Sequence, residues 1–313
     1  MSLNILITGA SGFLGMELCK ILSLSPHKVT ALDIRKPHEK YENINYEEIS
    51  IDLFLKNNKQ TISNYNLIVH AAAVLPYKSS KDALIATNVN TTLNLIKHIS
   101  ILKNTFFVYI SSSSVYGNPN NVPISENTIF NPLDLYAETK IISEENIKKY
   151  LKKDTYAIIR PTAILGKNRK GIFEIFFKLI KYNIPIPVPN RGKQKIQFVE
   201  IEDVARLIIH IGQNNLNGEW PAGAPNPKPL IDHLKLLGKK IGKNIIVFNL
   251  NERIFYFVGI LLIKLKLINF TKYHFGSFPK SFYFDETWVP KEFNYLHSSE
   301  DAFINSSKTF FDI

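Results

Sequence analysis

The chain has 313 residues, of which 45% are hydrophobic and 21% are charged. These values are typical of a soluble globular protein and exclude collagen-like, coiled-coil and disordered chains. At about 150 residues per domain, the length predicts two domains. Cys19 is the only cysteine, which excludes an internal disulfide framework and indicates a reducing compartment, and the scattered histidines predict no metal site.

The formal net charge is +11, and a positive field favours anionic partners. The lysines are spread along the chain without an arginine-rich run, so we interpret the charge mainly as a solvated basic surface. A small-molecule substrate that carries a nucleotide is the next interpretation, and we expect no nucleic-acid partner.

The amino terminus lacks a basic leader followed by a long apolar run, so we expect no secretion signal there. The longest apolar stretch, residues 254–263, has ten residues, whereas a membrane-spanning helix needs roughly 20. We therefore expect a cytoplasmic protein without a transmembrane segment, with peripheral membrane contact as the less favoured alternative.

The first half of the chain alternates short apolar runs with helical patterns, which is typical of a parallel sheet covered by helices. The nearly continuous Ile, Val, Leu and Phe content of the apolar runs suits strands that are buried on both faces. Strands are predicted at residues 4–8, 28–33, 67–71, 106–111 and 156–160, and helices at 13–22, 83–101 and 135–151. The predicted fold is α/β, a Rossmann-type doubly wound parallel sheet with ligands at the carboxyl ends of its strands.

Prolines interrupt the second half of the chain at residues 185–189 and again at 221–229. Between these breaks, residues 197–201 predict a strand and residues 203–211 predict a helix. We therefore expect the end of the first domain to be interleaved with a smaller, discontinuous C-terminal substrate domain. The Rossmann-type domain is predicted at residues 1–165 and about 193–215, and the substrate-binding domain at about 166–192 and 216–313.

The first predicted strand is joined to the first predicted helix by Thr8-Gly9-Ala10-Ser11-Gly12-Phe13-Leu14-Gly15. Glycines at these spacings permit a tight turn, close approach of the backbone to a pyrophosphate, and close packing of helix on sheet. Free N–H groups at the start of the helix then face the anion. The placement between a strand and a helix makes this motif a specific indication of a dinucleotide site.

Asp33 ends the second predicted strand, eighteen residues after Gly15. A carboxylate at this position can accept hydrogen bonds from the ribose diol of adenosine and repels a 2′-phosphate, which favours NAD over NADP. Arg35 is close enough in sequence to keep NADP as the less favoured cofactor, and a loop or capping role for Asp33 is the alternative.

Tyr136 and Lys140 lie one helical turn apart and therefore on one face of the third predicted helix. An ammonium group beside a phenol stabilises the phenolate and lowers its pKa, which a base that deprotonates a hydroxyl requires. Ser112 stands 24 residues earlier, in a serine run that follows a predicted strand. The three residues would meet at the same end of the sheet as the glycine-rich turn.

With these motifs the sequence resembles the extended short-chain dehydrogenases/reductases, within the NAD-dependent epimerase/dehydratase group. The similarity extends over nearly the whole chain. Further similar segments are Asp52-Leu53, His70-Ala71-Ala72-Ala73, Asn88, Arg160-Pro161, residues 197–205, Phe284-Asp285 and Glu292-Phe293-Asn294-Tyr295.

The resemblance implies that Tyr136 is the base and acid, that Lys140 holds the nicotinamide ribose, and that Ser112 orients the reacting hydroxyl. The cofactor, NAD, supplies the hydride chemistry and the protein supplies position and electrostatics. The implied cofactor contacts are Gly9, Ser11, Gly12, Phe13, Leu14, Gly15, Asp33, Asp52, Leu53, Ala71, Ala72, Ala73, Asn88, Tyr136, Lys140 and Pro161. The implied substrate contacts are Ser113, Ser114, Ala163 and Lys195.

Two departures from the family pattern bear on the substrate. Ala163 stands where nucleotide-sugar epimerases commonly carry an asparagine, and Ile196 stands close to where many carry an arginine for the diphosphate. Lys193 and Lys195 could supply point charges instead. The asparagine and arginine are therefore missing from an otherwise epimerase-like pattern.

Three functions remain open. The first is an NAD-dependent nucleotide-sugar 4-epimerase, or a related sugar oxidoreductase, acting as a homodimer. The second is an NAD(P)-dependent dehydrogenase or reductase of a hydrophobic or sterol-like alcohol, and the third is a non-catalytic NAD-binding protein. The complete set of Ser112, Tyr136 and Lys140 disfavours the third.

The apolar segment at residues 254–268 contains Lys264 and Lys266. We expect it to form a core helix of the smaller domain. A lid over the substrate channel or a dimer contact is the next interpretation, and a helix that lies in a membrane interface is the least favoured.

Overall fold

The structure, a computed structural model, describes residues 2–312 except 59–61, 77–78, 168, 170, 266–267 and 269–271. Its strands in chain order are β1 Asn4–Thr8, β2 Lys28–Asp33, β3 Ile44–Glu48, β4 Leu67–His70, β5 Phe106–Ile110, β6 Tyr156–Pro161, β7 Ala163–Leu165, β8 Ile186–Val188, β9 Lys195–Ile196, β10 Phe198–Glu200, β11 Gly218–Ala222, β12 Lys228–Pro229 and β13 Val247–Asn249.

The α-helices are α1 Phe13–Ser23, α2 Ile51–Asn57, α3 Lys81–Leu84, α4 Thr92–Ile99, α5 Leu135–Tyr150, α6 Ile172–Lys181, α7 Ile201–Gln213, α8 Leu230–Ile241, α9 Glu252–Lys264, α10 Lys272–Ser277 and α11 Ser299–Ser307. A π-helical segment, Ile85–Thr91, connects α3 to α4. The helix predicted at 83–101 is therefore observed as one continuous run over residues 81–99 with a wider central turn. None of the helices in the described part of the chain is long and apolar enough to cross a membrane.

The main sheet has seven strands in the order β3-β2-β1-β4-β5-β6-β11, and all of its neighbouring pairs are parallel. The α/β fold class and the doubly wound parallel sheet expected from the sequence are therefore confirmed. Successive side chains of a strand point to opposite faces, so Ile5 and Ile7 pack in the layer of α1 and α7, while Leu6 packs in the layer of α2, α4 and α5.

The edges of the sheet differ from the sequence-based expectation. β3 was not expected, because its residues are mostly polar or exposed and give no apolar run. β11 was expected in the smaller domain, but it pairs with β6 over Gly218–Ala222 and so extends the sheet of the larger one. The rest of the division into two domains stays a prediction.

A second apolar core lies apart from the main sheet and gathers side chains from α6, α8, α11, β8 and β10. Aromatic rings dominate it, and Phe198 lies in edge-to-face contact with Phe173, with 4.8 Å between ring centroids. Such pairs stabilise a core beyond the area they bury.

The expectation that residues 254–268 form a core helix is wrong for the part that the structure describes. In α9 the buried residues are Phe255 and Gly259, while Phe257 and Leu261 are exposed. Because an uninterrupted apolar run has no helical periodicity, the sequence did not show that one face would remain in solvent.

The packing at Gly15 gives a test of the fold. A Cβ atom there would lie 2.2 Å from the carbonyl oxygen of Gly9 and 2.6 Å from the Cα of Ala10. Because both neighbours are backbone atoms, we expect Gly15→Ala to lower the free energy of unfolding by about 3 kcal/mol. Gly276→Ala is the matched control, since its nearest neighbour is the Tyr256 ring at 4.0 Å.

Urea unfolding of both variants checks this expectation. The control should stay within about 1 kcal/mol of the wild type, the scale of the helix propensity difference between Gly and Ala. A Gly15→Ala protein as stable as the control would contradict the close contact of α1 with the turn.

Candidate active site

The glycine-rich turn and the loop after β4 meet at the point where the strand order of the main sheet reverses. Gly9 adopts φ +73°, and a Cβ atom on it would lie 2.5 Å from the amide nitrogen of Ala72. The amide of Gly12 donates a hydrogen bond of 3.0 Å to the Gly9 carbonyl, which closes the turn before α1 begins. The turn thus lies directly before the start of α1, where free backbone N–H groups would face the pyrophosphate of a dinucleotide.

Asp33 holds this turn in place. Its carboxylate accepts hydrogen bonds from the backbone amides of Ser11, at 3.0 Å, and Arg35, at 2.9 Å. The Arg35 side chain is largely exposed and lies 3.4 Å from the carboxylate, whose own side chain is almost buried. Asp33 therefore faces the glycine-rich turn rather than capping a helix, and Arg35 covers it from the solvent side.

Asp52 and Leu53 lie in the first turn of α2, where both are exposed. The Asp52 carboxylate accepts hydrogen bonds from the hydroxyl of Thr91, at 3.0 Å, and the amide of Asn94, at 2.6 Å. It therefore connects α2 to the helical run that contains α4.

The buried side chain of Asn88, in the π-helical segment, fixes the loop that contains Ala71, Ala72 and Ala73. Its amide oxygen accepts a hydrogen bond of 2.9 Å from the Val74 amide, and its amide nitrogen donates to the Val74 carbonyl at 3.1 Å. The same nitrogen donates to the Thr139 hydroxyl on α5 at 3.3 Å. π-Helical turns recur at functional sites, and here the wider turn carries the residue that ties this loop to the helix of Tyr136.

Ser112 follows β5 and precedes a short 3₁₀ helix, Ser113–Tyr116. Its hydroxyl oxygen accepts hydrogen bonds from the amide of Ser114, at 3.1 Å, and from the Ser114 hydroxyl, at 2.8 Å. Ser113 and Ser114 are buried, while Ser112 is partly exposed. The 3₁₀ helix packs against α5, so the hydroxyl of Ser112 is fixed close to the helix that carries Tyr136 and Lys140.

Lys140 is buried, and its ammonium group donates a hydrogen bond of 2.8 Å to the Ile110 carbonyl at the end of β5. The nitrogen lies 4.8 Å from the ring centroid of Tyr109 and 5.8 Å from that of Tyr136. Burial lowers the pKa of Lys140 to about 7, and the negative charge of Glu144 works in the opposite direction. Lys140 and Tyr136 thus share one face of α5, as the spacing predicts.

The sequence did not single out Glu144, which lies one turn after Lys140 and forms a buried ion pair with Arg160. Glu144 accepts hydrogen bonds from Nε and Nη2 of Arg160, at 3.0 and 2.6 Å, and from the Ser111 hydroxyl at 2.5 Å. Arg160 also donates to the Tyr116 hydroxyl at 2.9 Å and contacts Glu219. The spacing of four residues after Lys140 is the one signal that could have indicated this role.

The residues expected on the substrate side are more dispersed. Pro161, which was expected as a cofactor contact, is buried at the end of β6, and Ala163, an expected substrate contact, is exposed at the start of β7, after Thr162. Lys195 is exposed on β9, with its ammonium nitrogen 5.6 Å from the ring centroid of Tyr283. Gln197, from the similar segment 197–205, is buried and accepts a hydrogen bond of 2.8 Å from the Phe284 amide. Two of the similar segments therefore meet in space.

Among the residues that the structure describes, no group of three or more His, Cys, Asp or Glu side chains could hold a metal ion. Cys19 is buried on α1, and burial raises the pKa of its thiol to about 12.

Comparison with known proteins identifies the family. A sequence model of the NAD dependent epimerase/dehydratase family matches residues 5–222. The chain is 28% identical over 218 residues to a UDP-glucose 4-epimerase of Vibrio cholerae, with 67% of this chain and 66% of that protein covered. It is 31% identical over 208 residues to an uncharacterized protein of Sinorhizobium fredii, of which it spans about half, 52%.

A crystal structure of a UDP-glucuronic acid 4-epimerase from Bacillus cereus in complex with NAD has the same fold. The TM-score is 0.76 at 20% identity, with 98% of each chain covered. The doubly wound sheet and the glycine-rich turn agree with the family match. The chain belongs to the NAD dependent epimerase/dehydratase family, which confirms the resemblance found in its sequence.

The pKa of Lys140 gives a test by pH. A lysine whose pKa falls from 10.5 to about 7 on folding lets the unfolded chain bind more protons than the folded chain between these values. The stability of the wild type relative to Lys140→Met should therefore rise with pH from about 7 to 10.5, by up to about 1.4 kcal/mol per pH unit. Below pH 7 the difference should be constant.

Chemical unfolding of both proteins between pH 6 and 10 measures this difference. Lys235→Met, at a largely exposed lysine of α8, is the control and should show a much flatter pH profile. If the stability differences of the Lys140 and Lys235 variants from the wild type depended on pH in the same way, the lowered pKa of Lys140 would be contradicted.

Proposed function

We propose that the chain is an NAD-dependent nucleotide-sugar 4-epimerase that oxidises a sugar hydroxyl and reduces the resulting ketone on the opposite face. The observation that carries this proposal is the hydroxyl group of Ser112 next to α5, which presents Tyr136 and Lys140 on one face. The two residues that follow Ser112 are also serines, Ser113 and Ser114. This set supports oxidation and reduction of a hydroxyl-bearing carbon.

Each residue of the set has a distinct role. Tyr136 removes the proton from the sugar hydroxyl and returns it when the ketone is reduced. Lys140 places its ammonium nitrogen beside the phenol ring, where a positive charge favours the phenolate. Ser112 donates a hydrogen bond to the reacting oxygen. NAD, when bound, accepts the hydride and gives it back.

The glycine-rich turn, Asp33 and the Asn88-fixed loop are the groups that would hold the dinucleotide. Gly9 and Gly15 leave no space for side chains of their own. Oδ1 of Asp33 accepts from the amide and from Nε of Arg35, whereas Oδ2 accepts from the Ser11 amide and keeps a lone pair. These features suit NAD, with the ribose diol of its adenosine facing Asp33.

The buried serines make two related reactions unfavourable. Family dehydratases carry an Asp-Glu pair in the stretch after the catalytic hydroxyl, and reductive 3,5-epimerases carry a cysteine there. Here Ser113 and Ser114 occupy this stretch, and their hydroxyls are far too weakly basic to remove a carbon-bound proton near neutral pH. Cys19 lies on α1 with a raised thiol pKa. Elimination and 3,5-epimerisation are therefore not expected.

A nucleotide sugar is the substrate class that the relatives favour, since the Vibrio cholerae and Bacillus cereus proteins are named for UDP sugars. Lys193 and Lys195 are exposed cations near β9 that could face a diphosphate. The homodimer and the cytoplasmic location stay predictions.

Tyr136→Phe tests the catalytic assignment. The ring packs as before while the ionisable oxygen is lost, so we expect NAD binding to persist and turnover of the accepted UDP sugar to fall by about 10²–10⁴-fold. Tyr150→Phe, at the exposed end of the same helix, is the matched control and should retain turnover. Near-wild-type activity in Tyr136→Phe would refute the proposed base.

The reaction type is tested by incubating the protein with UDP-glucose, UDP-N-acetylglucosamine and UDP-glucuronic acid in deuterated water. Because the C5 proton is never removed, we expect the C4 epimer without deuterium at C5 and without loss of water. A 4-keto-6-deoxy product would overturn the argument from the serines. If no sugar reacts, the dehydrogenase of a hydrophobic alcohol becomes the better hypothesis.

The role of Asp33 is tested by the affinities for NAD and NADP. Asp33→Asn removes the charge that repels a 2′-phosphate, so the preference for NAD over NADP should fall by about tenfold or more. Arg35→Ala is the companion variant, and it should weaken NADP binding and leave NAD binding nearly unchanged. An unaltered preference in Asp33→Asn would show that this carboxylate does not select the cofactor.

A further inference from the structure

Helix α9 carries a continuous apolar stripe on its exposed side. The stripe, called the outer stripe, consists of Ile254, Phe257, Val258, Leu261 and Leu265, the last of which caps the helix. Their side chains are between 44% and 69% exposed. Their spacing of three and four residues places them on one narrow face of the helix, so five large apolar side chains share one strip of surface.

The opposite face fixes the orientation of α9. Phe255 stacks on Phe278 with 5.5 Å between ring centroids and lies 5.5 Å from the ring centroid of Phe275. Gly259 is packed so closely that a Cβ atom would lie 2.2 Å from the Phe275 ring. The helix therefore cannot rotate to bury the outer stripe without losing this contact.

Positive charge lies along one side of the outer stripe. The helical positions of Arg253 and Lys264 place them along one flank of it, and both are exposed. Glu252 is the only acidic residue between Asp232 and Asp285, a stretch that contains nine lysines and arginines, and its carboxylate lies 3.6 Å from the ammonium group of Lys280. The apolar face is thus flanked by two exposed cations, in a stretch of sequence that is strongly basic.

We propose that the outer stripe docks the protein reversibly on an anionic membrane surface. A helix with an apolar face of aromatic and aliphatic side chains and a basic flank lies in the plane of the interface, with the apolar face about 5–10 Å deep and the cations at the phosphates. With thirteen residues, α9 is far shorter than the roughly 20 needed to span a bilayer.

Charge argues against a second copy of the chain as the occupant. A symmetric dimer through the outer stripe would use the same patch on both subunits, which brings Arg253 and Lys264 towards the like charges of the other copy. Like-charge juxtaposition across an interface is costly. An anionic lipid surface instead complements the cations and accepts the apolar side chains.

The test is flotation of the purified full chain with vesicles of phosphatidylcholine, alone or with about a third phosphatidylglycerol. We expect the wild type to bind the anionic vesicles, to bind neutral vesicles much less, and to lose binding as salt screens the charges. No binding to either vesicle, or equal binding to both, would overturn the proposal.

Two sets of variants locate the surface. Phe257→Asp with Leu261→Asp should lower the partition coefficient by about tenfold or more, whereas Ile101→Asp with Ile129→Asp, at exposed apolar residues elsewhere, should not. Arg253→Glu with Lys264→Glu should weaken binding to anionic vesicles, whereas Lys56→Glu with Lys97→Glu, which changes the net charge equally, should have a smaller effect. Equal losses in test and control pairs would overturn the assignment to α9.

Thermal unfolding and NAD binding verify that each variant is folded, which we expect because all the altered side chains are exposed. Light scattering tests the remaining alternative, in which a second copy of the chain covers the outer stripe. If the wild type is a dimer that Phe257→Asp with Leu261→Asp converts to a monomer, the outer stripe is a contact between copies, and the membrane proposal is wrong.

Discussion

The buried ion pair of Glu144 with Arg160 is the interaction on which the arrangement of the proposed catalytic residues depends. Both side chains are about 1% exposed. Burial alone would lower the pKa of Arg160, but its hydrogen bonds to Glu144 and the charge of that carboxylate raise it above its ordinary value, so the guanidinium stays charged. Removing one partner of such a pair leaves a buried charge without compensation and costs about 3–5 kcal/mol.

The position of the pair explains why it matters for the site. Glu144 lies one helical turn after Lys140 on α5. It accepts a hydrogen bond from the hydroxyl of Ser111, the residue that precedes Ser112. Arg160 comes from β6, the strand that ends at Pro161. One carboxylate thus joins α5, Ser111 beside the proposed catalytic serine, and β6. A small shift of α5 would break three hydrogen bonds at once.

The central strands of the main sheet and the motifs of the candidate site could be predicted from the sequence, because each of these features has a strong local cause. β1, β4 and β5 are buried on both faces and therefore appear as continuous apolar runs. Gly12 and Gly15 are required by contacts within the turn, with the carbonyl of Gly9, whereas Gly9 itself packs against the distant Ala72. Tyr136 and Lys140 share a helix face through their spacing alone.

What the sequence did not predict depends on partners far along the chain. β3 is an exposed edge strand and β11 completes the sheet from beyond a proline break, so neither has a local apolar signal. The ion pair between Glu144 and Arg160 joins residues sixteen positions apart on different elements. The exposure of α9 is decided by Phe275 and Phe278, which cover one face and leave the other in solvent.

His70 shows how the fold also determines the protonation of the site. At the end of β4 its ring nitrogens lie 2.6 Å from the Thr8 hydroxyl and 2.9 Å from the Thr92 hydroxyl, and burial together with the charge of Lys140 lowers its pKa to about 3. The histidine is therefore neutral at physiological pH, where an unburied imidazole would be partly charged. It bridges the glycine-rich turn to α4 without adding a second cation. Lys140, with its pKa near 7, therefore changes charge near neutrality beside Tyr136. The burial that stabilises the sheet thus also makes the proposed base sensitive to the charge of its neighbouring lysine.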